Sequence, residues 1–328
     1  MAKIRLFIDL GSFRTVIYRD KIGIVLNEPT KVLYQNVGGV DKIVDYGQKA
    51  VKISRQEGQY LVSPIMEGVI TDERACASML REFLRRVMTD KPNATVEAYF
   101  SIPCGTTIQD KQKFFNAGYT AGISKLTLIP APIADIVGCG VGFDDFEYCA
   151  LVDIGSGCTD IAILGSEGIV QGFTINIGSV SIDLAIINHI QSKYGVKIAL
   201  QNAVSLKEQI GSLIPNGTKA LSVTGTEIKT GATKTINATG FDILDALREY
   251  YQVIADSLSS LLSASEAEVC AKVRAQGVIF CGNGSKIEGL NQYMAQRLGL
   301  PVYIAQGERT VFGMQTLSQN RTLQKRVL

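Results

Sequence analysis

A single histidine, His189, leaves little scope for imidazole chemistry. It falls in AIINHI on a stretch that reads as helix, has no cysteine or carboxylate at a catalytic spacing, and is read as structural. Seven cysteines, at 76, 104, 139, 149, 158, 270 and 281, form no CxxC pair and no histidine-cysteine ligand set, which argues against a structural metal site. Their odd number and apolar neighbours point to reduced, buried thiols in a cytosolic protein. An excess of one charge is lacking too: 33 basic residues stand against 31 acidic ones, so no overall field recruits nucleic acid. No apolar run approaches the roughly 20 residues of a spanning helix. MAKIRLFIDLG runs straight into the first expected strand with no room for a signal peptide, and no proline-rich or low-complexity tract marks an appended module.

What is present is a large apolar fraction, 46% of 328 residues, enough for a sizeable core and more consistent with two domains than one. Short β-rich runs alternate with helical ones, as in an α/β fold. Thr71 to Met88 places Ala75, Met79, Leu80, Phe83, Leu84 and Val87 at helical spacing, and Phe241 to Leu262 repeats that pattern through Leu244, Leu247, Tyr250, Ile254, Leu258 and Leu261. Both read as helices packed on a sheet. Thr218 to Ala238, rich in threonine and glycine, suits a β-hairpin.

Two segments share one plan: FIDLGSFRT from Phe7 to Thr15 and LVDIGSGCTDI from Leu151 to Ile161. Each is a hydrophobic strand that ends at an aspartate, Asp9 or Asp153, and then turns through Gly11 or through Gly155 and Gly157. Glycine lets backbone N–H groups approach an anion, and a strand-end carboxylate suits a hydrated Mg2+ ion. Ser12, Phe13 and Thr15 in the first turn, and Ser156 with Gly157 in the second, are the candidate phosphate contacts. The duplication predicts two similar domains facing one another across a nucleotide.

These turns resemble the paired phosphate loops of the actin, sugar-kinase and heat-shock-chaperone ATPase superfamily. Within it, GIVLNEPT (Gly23 to Thr30), EGVITD (Glu67 to Asp72), IPCGTT (Ile102 to Thr107), IADIVGCG (Ile133 to Gly140), AIINHI (Ala185 to Ile190), LKEQIGSLIP (Leu206 to Pro215) and GVIFCGNGSKIEGL (Gly277 to Leu290) follow the order and near spacing of MreB-like bacterial actins. The resemblance implies an actin-like ATPase fold of two duplicated domains around a nucleotide cleft. Domain I would be 1–145 plus about 310–328 with an insert near 33–66, and domain II 146–309 with an insert near 179–239. It also implies Asp160 as a further acidic residue positioning metal or water, Lys207 near the ribose, and Gly282, Asn283, Gly284 and Ser285 against the adenosine.

Several positions depart from the family pattern. Relatives place a glutamate before a proline in the segment joining the halves, whereas this chain has Pro130-Ala131-Pro132, and Cys158 replaces a threonine of the second loop. Alanine accepts no proton and a thiol is a weak donor, so hydrolysis is expected to be slow or impaired. Arg14 stands for an asparagine and would either add a cation at the phosphates or block them. Val204 and Gln209 stand for glutamates, and Asn283 interrupts a run of glycines.

The function implied is binding of ATP (or GTP) with Mg2+ and polymerisation with itself into cytoskeletal filaments, most plainly in cell-shape control. Plasmid-segregation and organelle-positioning actins are alternatives, as is a small-molecule kinase or phosphatase on the same fold. A chaperone-like switch is disfavoured because no substrate-binding domain follows. The expected place is the cytoplasm, at the inner membrane face through membrane-associated protein partners. Direct membrane insertion is not expected, because the chain start is short for an amphipathic helix and the 89–94 loop is polar.

Overall fold

The computed structural model describes residues 2–215, 217–305, 307 and 309–328. It separates into two compact units, one of Met1–Asp145, Ser166–Thr174 and Glu308–Leu328, the other of Phe146–Gly165 and Ile175–Gly307. Residues 166–174 thus count with the first unit, where the sequence placed them in the second.

The chain opens with β1 (Lys3–Leu10), β2 (Arg14–Arg19) and β3 (Gly23–Pro29), then an inserted group: β4 (Val32–Val37), β5 (Val40–Tyr46), α1 (Gly47–Lys52) and β6 (Gln59–Val62). A two-stranded ribbon, β7 (Ile65–Met66) and β8 (Val69–Ile70), leads to α2 (Glu73–Val87), β9 (Thr95–Ile102), α3 (Ile108–Ala121), β10 (Lys125–Pro130) and α4 (Ala131–Gly138). The main sheet has the order β10-β9-β1-β2-β3, and the insert forms its own sheet, β5-β4-β6. β1 is central, parallel to β9 and antiparallel to β2.

Its period of two decides the layers, because alternate side chains enter opposite faces. Leu6 and Ile8 join Phe83, Phe100 and Phe114 in one buried cluster. Phe7 packs instead on Tyr18 and Tyr99. α2 begins where Asp72 accepts the Ala75 N–H at 2.9 Å, and its stripe from Ala75 to Val87 is buried while Arg81 and Arg85 face outward.

In the second half come β11 (Tyr148–Ile154), β12 (Thr159–Gly165), β13 (Gly168–Ile175), α5 (Ser179–Tyr194), β14 (Val196–Lys197), α6 (Leu200–Ile210), β15 (Ala220–Glu227) and β16 (Thr233–Thr239). They are followed by α7 (Gly240–Ala264), α8 (Ala267–Gln276), β17 (Val278–Cys281), a 3-10 turn at Asn283–Lys286, α9 (Leu290–Leu298), β18 (Val302–Ile304), α10 (Arg309–Gln319) and α11 (Arg321–Val327). The second unit's main strands run β12-β11-β17-β18, and its insert carries the sheet β14-β15-β16. β11 is antiparallel to β12 and parallel to β17. That is the arrangement of β2-β1-β9 repeated, so the duplication in sequence is a duplication of topology.

α10 returns to the first unit, where it lies on α4 and its Phe312 meets Tyr18 edge-on at 5.4 Å. Glycine permits this approach: a Cβ on Gly313 would stand 1.7 Å from Ala134 O, and one on Gly138 2.1 Å from Arg309 O. Among the described residues the seven cysteines are thiols and not disulfides. Cys76, Cys149 and Cys281 are buried, whereas Cys104, Cys139, Cys158 and Cys270 are only half-buried. Among the described residues no helix is long and apolar enough to cross a membrane.

Candidate functional site

The first candidate turn is closed by the Gly11 N–H donating to Arg14 O at 3.1 Å. A side chain on Gly11 would press on that same oxygen at 2.9 Å, so the tight geometry requires glycine. Asp9, half-buried at the end of β1, accepts from Ser101 Oγ at 2.6 Å across the parallel β9. Ser12 Oγ accepts the Gly68 N–H at 3.1 Å, an arrangement that directs its own proton elsewhere. Phe13, at the tip, is exposed.

Two of the turn's candidate residues are engaged by neighbouring protein groups. Thr15 is fully buried and shares its hydroxyl with Thr30 at 2.9 Å, while Thr30 in turn donates to Gly11 O at 2.7 Å. Thr15 therefore braces the turn from behind and offers no donor at its surface. Arg14 reaches back along the sheet, donating from Nε to Asn27 Oδ1 at 2.6 Å and from Nη2 to Asn27 O at 2.7 Å. Its guanidinium is held by the β3 edge rather than by the turn.

The second turn repeats the closing bond of the first and the buried threonine that follows it. Gly155 N–H donates to Cys158 O at 3.0 Å, Asp153 ends β11 beside Cys281 of the parallel β17, and the fully buried Thr159 donates to Ile177 O at 2.6 Å. Asp160 lies directly across from Asp153 in the antiparallel register and is 3% exposed. Additional bracing comes from the start of α5. Ser179 N–H donates to Gly155 O and Val180 N–H to Ser156 O, both at 3.0 Å. A Cβ on Gly178 would stand 2.4 Å from Ser156 O, so the helix begins directly against the turn.

The glycine-rich turn Gly282–Ser285 packs on the end of β11. A Cβ at Gly282, whose φ is +79°, would lie 2.2 Å from Asp153 Oδ1, and one at Gly284 2.2 Å from the Ile154 side chain. Ser285 is buried and donates to Gly282 O at 2.7 Å, whereas Asn283 is exposed and accepts from Lys286. Tyr251 of α7, buried beneath, donates to Gly284 O at 2.5 Å. Burial pushes the Tyr251 hydroxyl well above its ordinary value, and the Asp183 charge adds to the effect.

Lys207, expected near the ribose, has protein partners of its own. Its ammonium forms an ion pair with Asp183 at 2.7 Å and also donates to Ser179 O at 3.2 Å, with the two side chains 13% and 5% exposed. Burial pushes the Asp183 carboxyl up against the opposing pull of Lys207. Sequence reading missed Ser101, Ser179, Asp183 and Tyr251. Ser101 stands one residue before the IPCGTT motif and Asp183 two before AIINHI, so motif flanks were the available signal. Ala131, the first residue of α4 after Pro130, is 8% exposed.

The duplicated turns and the repeated strand arrangement define an actin-like α/β protein. Solved structures agree on that fold: MreB5 of Spiroplasma citri bound to AMPPNP superposes with a TM-score of 0.88 at 24% identity, covering 99% of this chain and 98% of that one. The MamK double helical filament structure gives a TM-score of 0.80 at 20% identity, with 97% and 99% covered. The family model for MreB/Mbl protein matches residues 3–325, and the chain belongs to the MreB/Mbl family. Among its relatives, the cell shape-determining protein MreB of Escherichia coli (strain K12) is 28% identical over 313 residues, covering 93% of this chain and 90% of that protein. The cell shape-determining protein Mbl of Bacillus subtilis (strain 168) is 28% identical over 302 residues, with 91% and 90% covered.

Proposed function

We propose that this chain binds ATP, or GTP, together with Mg2+ and polymerises with itself into a cytoskeletal filament that acts in cell-shape control, with slow hydrolysis. The observation that carries the reading is the pair of matched turns, each with a half-buried strand-end aspartate and a glycine whose Cβ would press on the turn's own carbonyl oxygen, at 2.9 Å in the first and 3.0 Å in the second. Structures of the Spiroplasma citri relative hold AMPPNP and ADP, the MamK structure is a double helical filament, and the E. coli relative is named for determining cell shape. The proposed site of action is the cytoplasm, reaching the inner membrane face through membrane-associated partners.

Mechanistically, Asp9 and Asp153 are the residues that would hold the ion's water shell. Their donor chemistry fits, because hard oxygen ligands suit Mg2+ and Ser101 fixes one Asp9 oxygen while a carboxylate has further lone pairs. The bound ion would screen charge on the phosphates. Ser12, Ser156 and Gly157 form the turn surfaces that would orient them, and the Gly282–Ser285 turn would receive the nucleoside. Repeating one head-to-tail contact gives an open filament, so domain positions that respond to nucleotide would alter assembly.

The test combines electron microscopy and sedimentation of purified protein with ATP, with AMPPNP and without nucleotide, alongside Asp9→Ala and Asp153→Ala. Filaments are expected with nucleotide. Each substitution should weaken Mg2+-dependent nucleotide binding by about 1.5–3 kcal/mol, the worth of a charge-assisted contact. Unchanged affinity in both variants, or no assembly under any nucleotide condition, would sink the reading.

A further inference from the structure

The ion pair between Lys207 of α6 and Asp183 of α5 is buried, and burying such a pair is costly. Replacing one by apolar groups of similar volume is often neutral or stabilising, so a stability gain does not account for it. Position does. The same ammonium that neutralises Asp183 also donates to Ser179 O. Ser179 begins α5, and its N–H holds Gly155 O, while the next N–H, of Val180, holds Ser156 O.

A chain of contacts therefore runs from Lys207 through the first residue of α5 into the second turn. The steric fit makes that chain stiff, because Gly178 lies so close to Ser156 and Gly157 that a Cβ would come within 2.4 Å of one and 2.7 Å of the other. Any displacement of the α5 start is passed directly to the turn. The Asp183 charge also acts on the Tyr251 hydroxyl, which donates to Gly284 O.

We infer that Lys207 is a positioning residue for the Gly155–Cys158 turn, acting on the phosphate side through α5 rather than by touching the nucleoside. The inference rests on the nucleotide reading above, and it deepens that reading by assigning the residue to the phosphates. A lysine that contacts ribose affects every nucleoside ligand alike. One that places a phosphate-binding turn affects ligands in proportion to the phosphates they carry.

Two measurements on wild type, Lys207→Met and Lys207→Arg separate these. Hydrogen exchange without ligand should show the Ser179 and Val180 amides exchanging about tenfold faster in Lys207→Met, with the middle of α7 unchanged and Lys207→Arg restoring protection. Calorimetric binding of adenosine, ADP and AMPPNP with Mg2+ should show AMPPNP weakened about 10–100-fold, ADP less, and adenosine little, as expected when a supporting contact is lost and a site is slightly misplaced. Equal losses for all three ligands, or unchanged exchange at Ser179 and Val180, would overturn the inference while leaving nucleotide binding intact. A wild type that binds none of the three overturns the nucleotide reading itself, and the exchange result then decides alone whether Lys207 places the turn. Should Lys207→Met fail to fold, Lys207→Met with Asp183→Leu leaves no unpaired buried charge and carries the same measurements.

Discussion

Glu97 shows how much one side chain can hold in place at a sheet end. It is 3% exposed and meets Lys3 at 2.8 Å, Lys125 at 3.0 Å and Arg5 at 3.5 Å, tying the central strand β1 to β10. Burial works against its charge, yet the lysine hydrogen bonds outweigh burial and hold the carboxyl at about 2, below its ordinary 4.5. A depressed folded value stabilises the native state at pH above the unfolded value, and that contribution disappears as pH falls toward 2. Glu97→Gln should therefore cost about 1.5–3 kcal/mol at neutral pH. Urea unfolding from pH 7 to pH 2.5 should show the difference from wild type shrinking below pH 4.5; a constant difference would refute the linkage. At this scale the sequence was legible only in part. The turn glycines could be located by pattern, but the burial of Thr15 depends on Thr30, fifteen residues later, and the inward path of Lys207 depends on a helix that contributes Asp183.

Elements were far easier to read, because periodicity records burial directly. The helix expected over Thr71 to Met88 is Glu73–Val87, that over Phe241 to Leu262 is Gly240–Ala264, and the hairpin expected over Thr218 to Ala238 is Ala220–Glu227 with Thr233–Thr239. What periodicity cannot report is how closely two helices approach. The α4–α10 contact rests on Gly138 and Gly313, neither with a positive φ, and nothing in the local pattern marks them as packing residues. Gly313→Ala would drive a methyl group into Ala134 O and must separate the helices. It should destabilise the protein by about 1–3 kcal/mol, the usual cost of overpacking, although helix propensity alone would favour alanine. A chemical denaturation midpoint equal to or above that of wild type would show that the contact yields freely.

For the whole molecule, the duplicated turns and the ordered family motifs made fold and family legible. The positions of Ala131 and Cys158 bear on turnover instead. Ala131 brings no proton acceptor to the start of α4, and Cys158 brings a weak donor to the second turn. Phosphate release per filament subunit should therefore be slow, and Ala131→Glu combined with Cys158→Thr should raise it by about 10²–10⁴-fold, the usual worth of general acid–base help. A restored pair that folds and binds ATP yet gains no activity would defeat the idea. A different consequence follows from the return of α10 to the first unit. The central strand of that unit is made before the second unit, but α10, which covers β1 and β2 and presses on α4, is made only after it. At about 5–20 residues per second, ribosomes would leave the first unit without its covering helix for many seconds while the second unit completes its own contacts. The two units are thus completed in the reverse of the order in which they are begun, and the one begun first is the one that needs shelter from aggregation during synthesis.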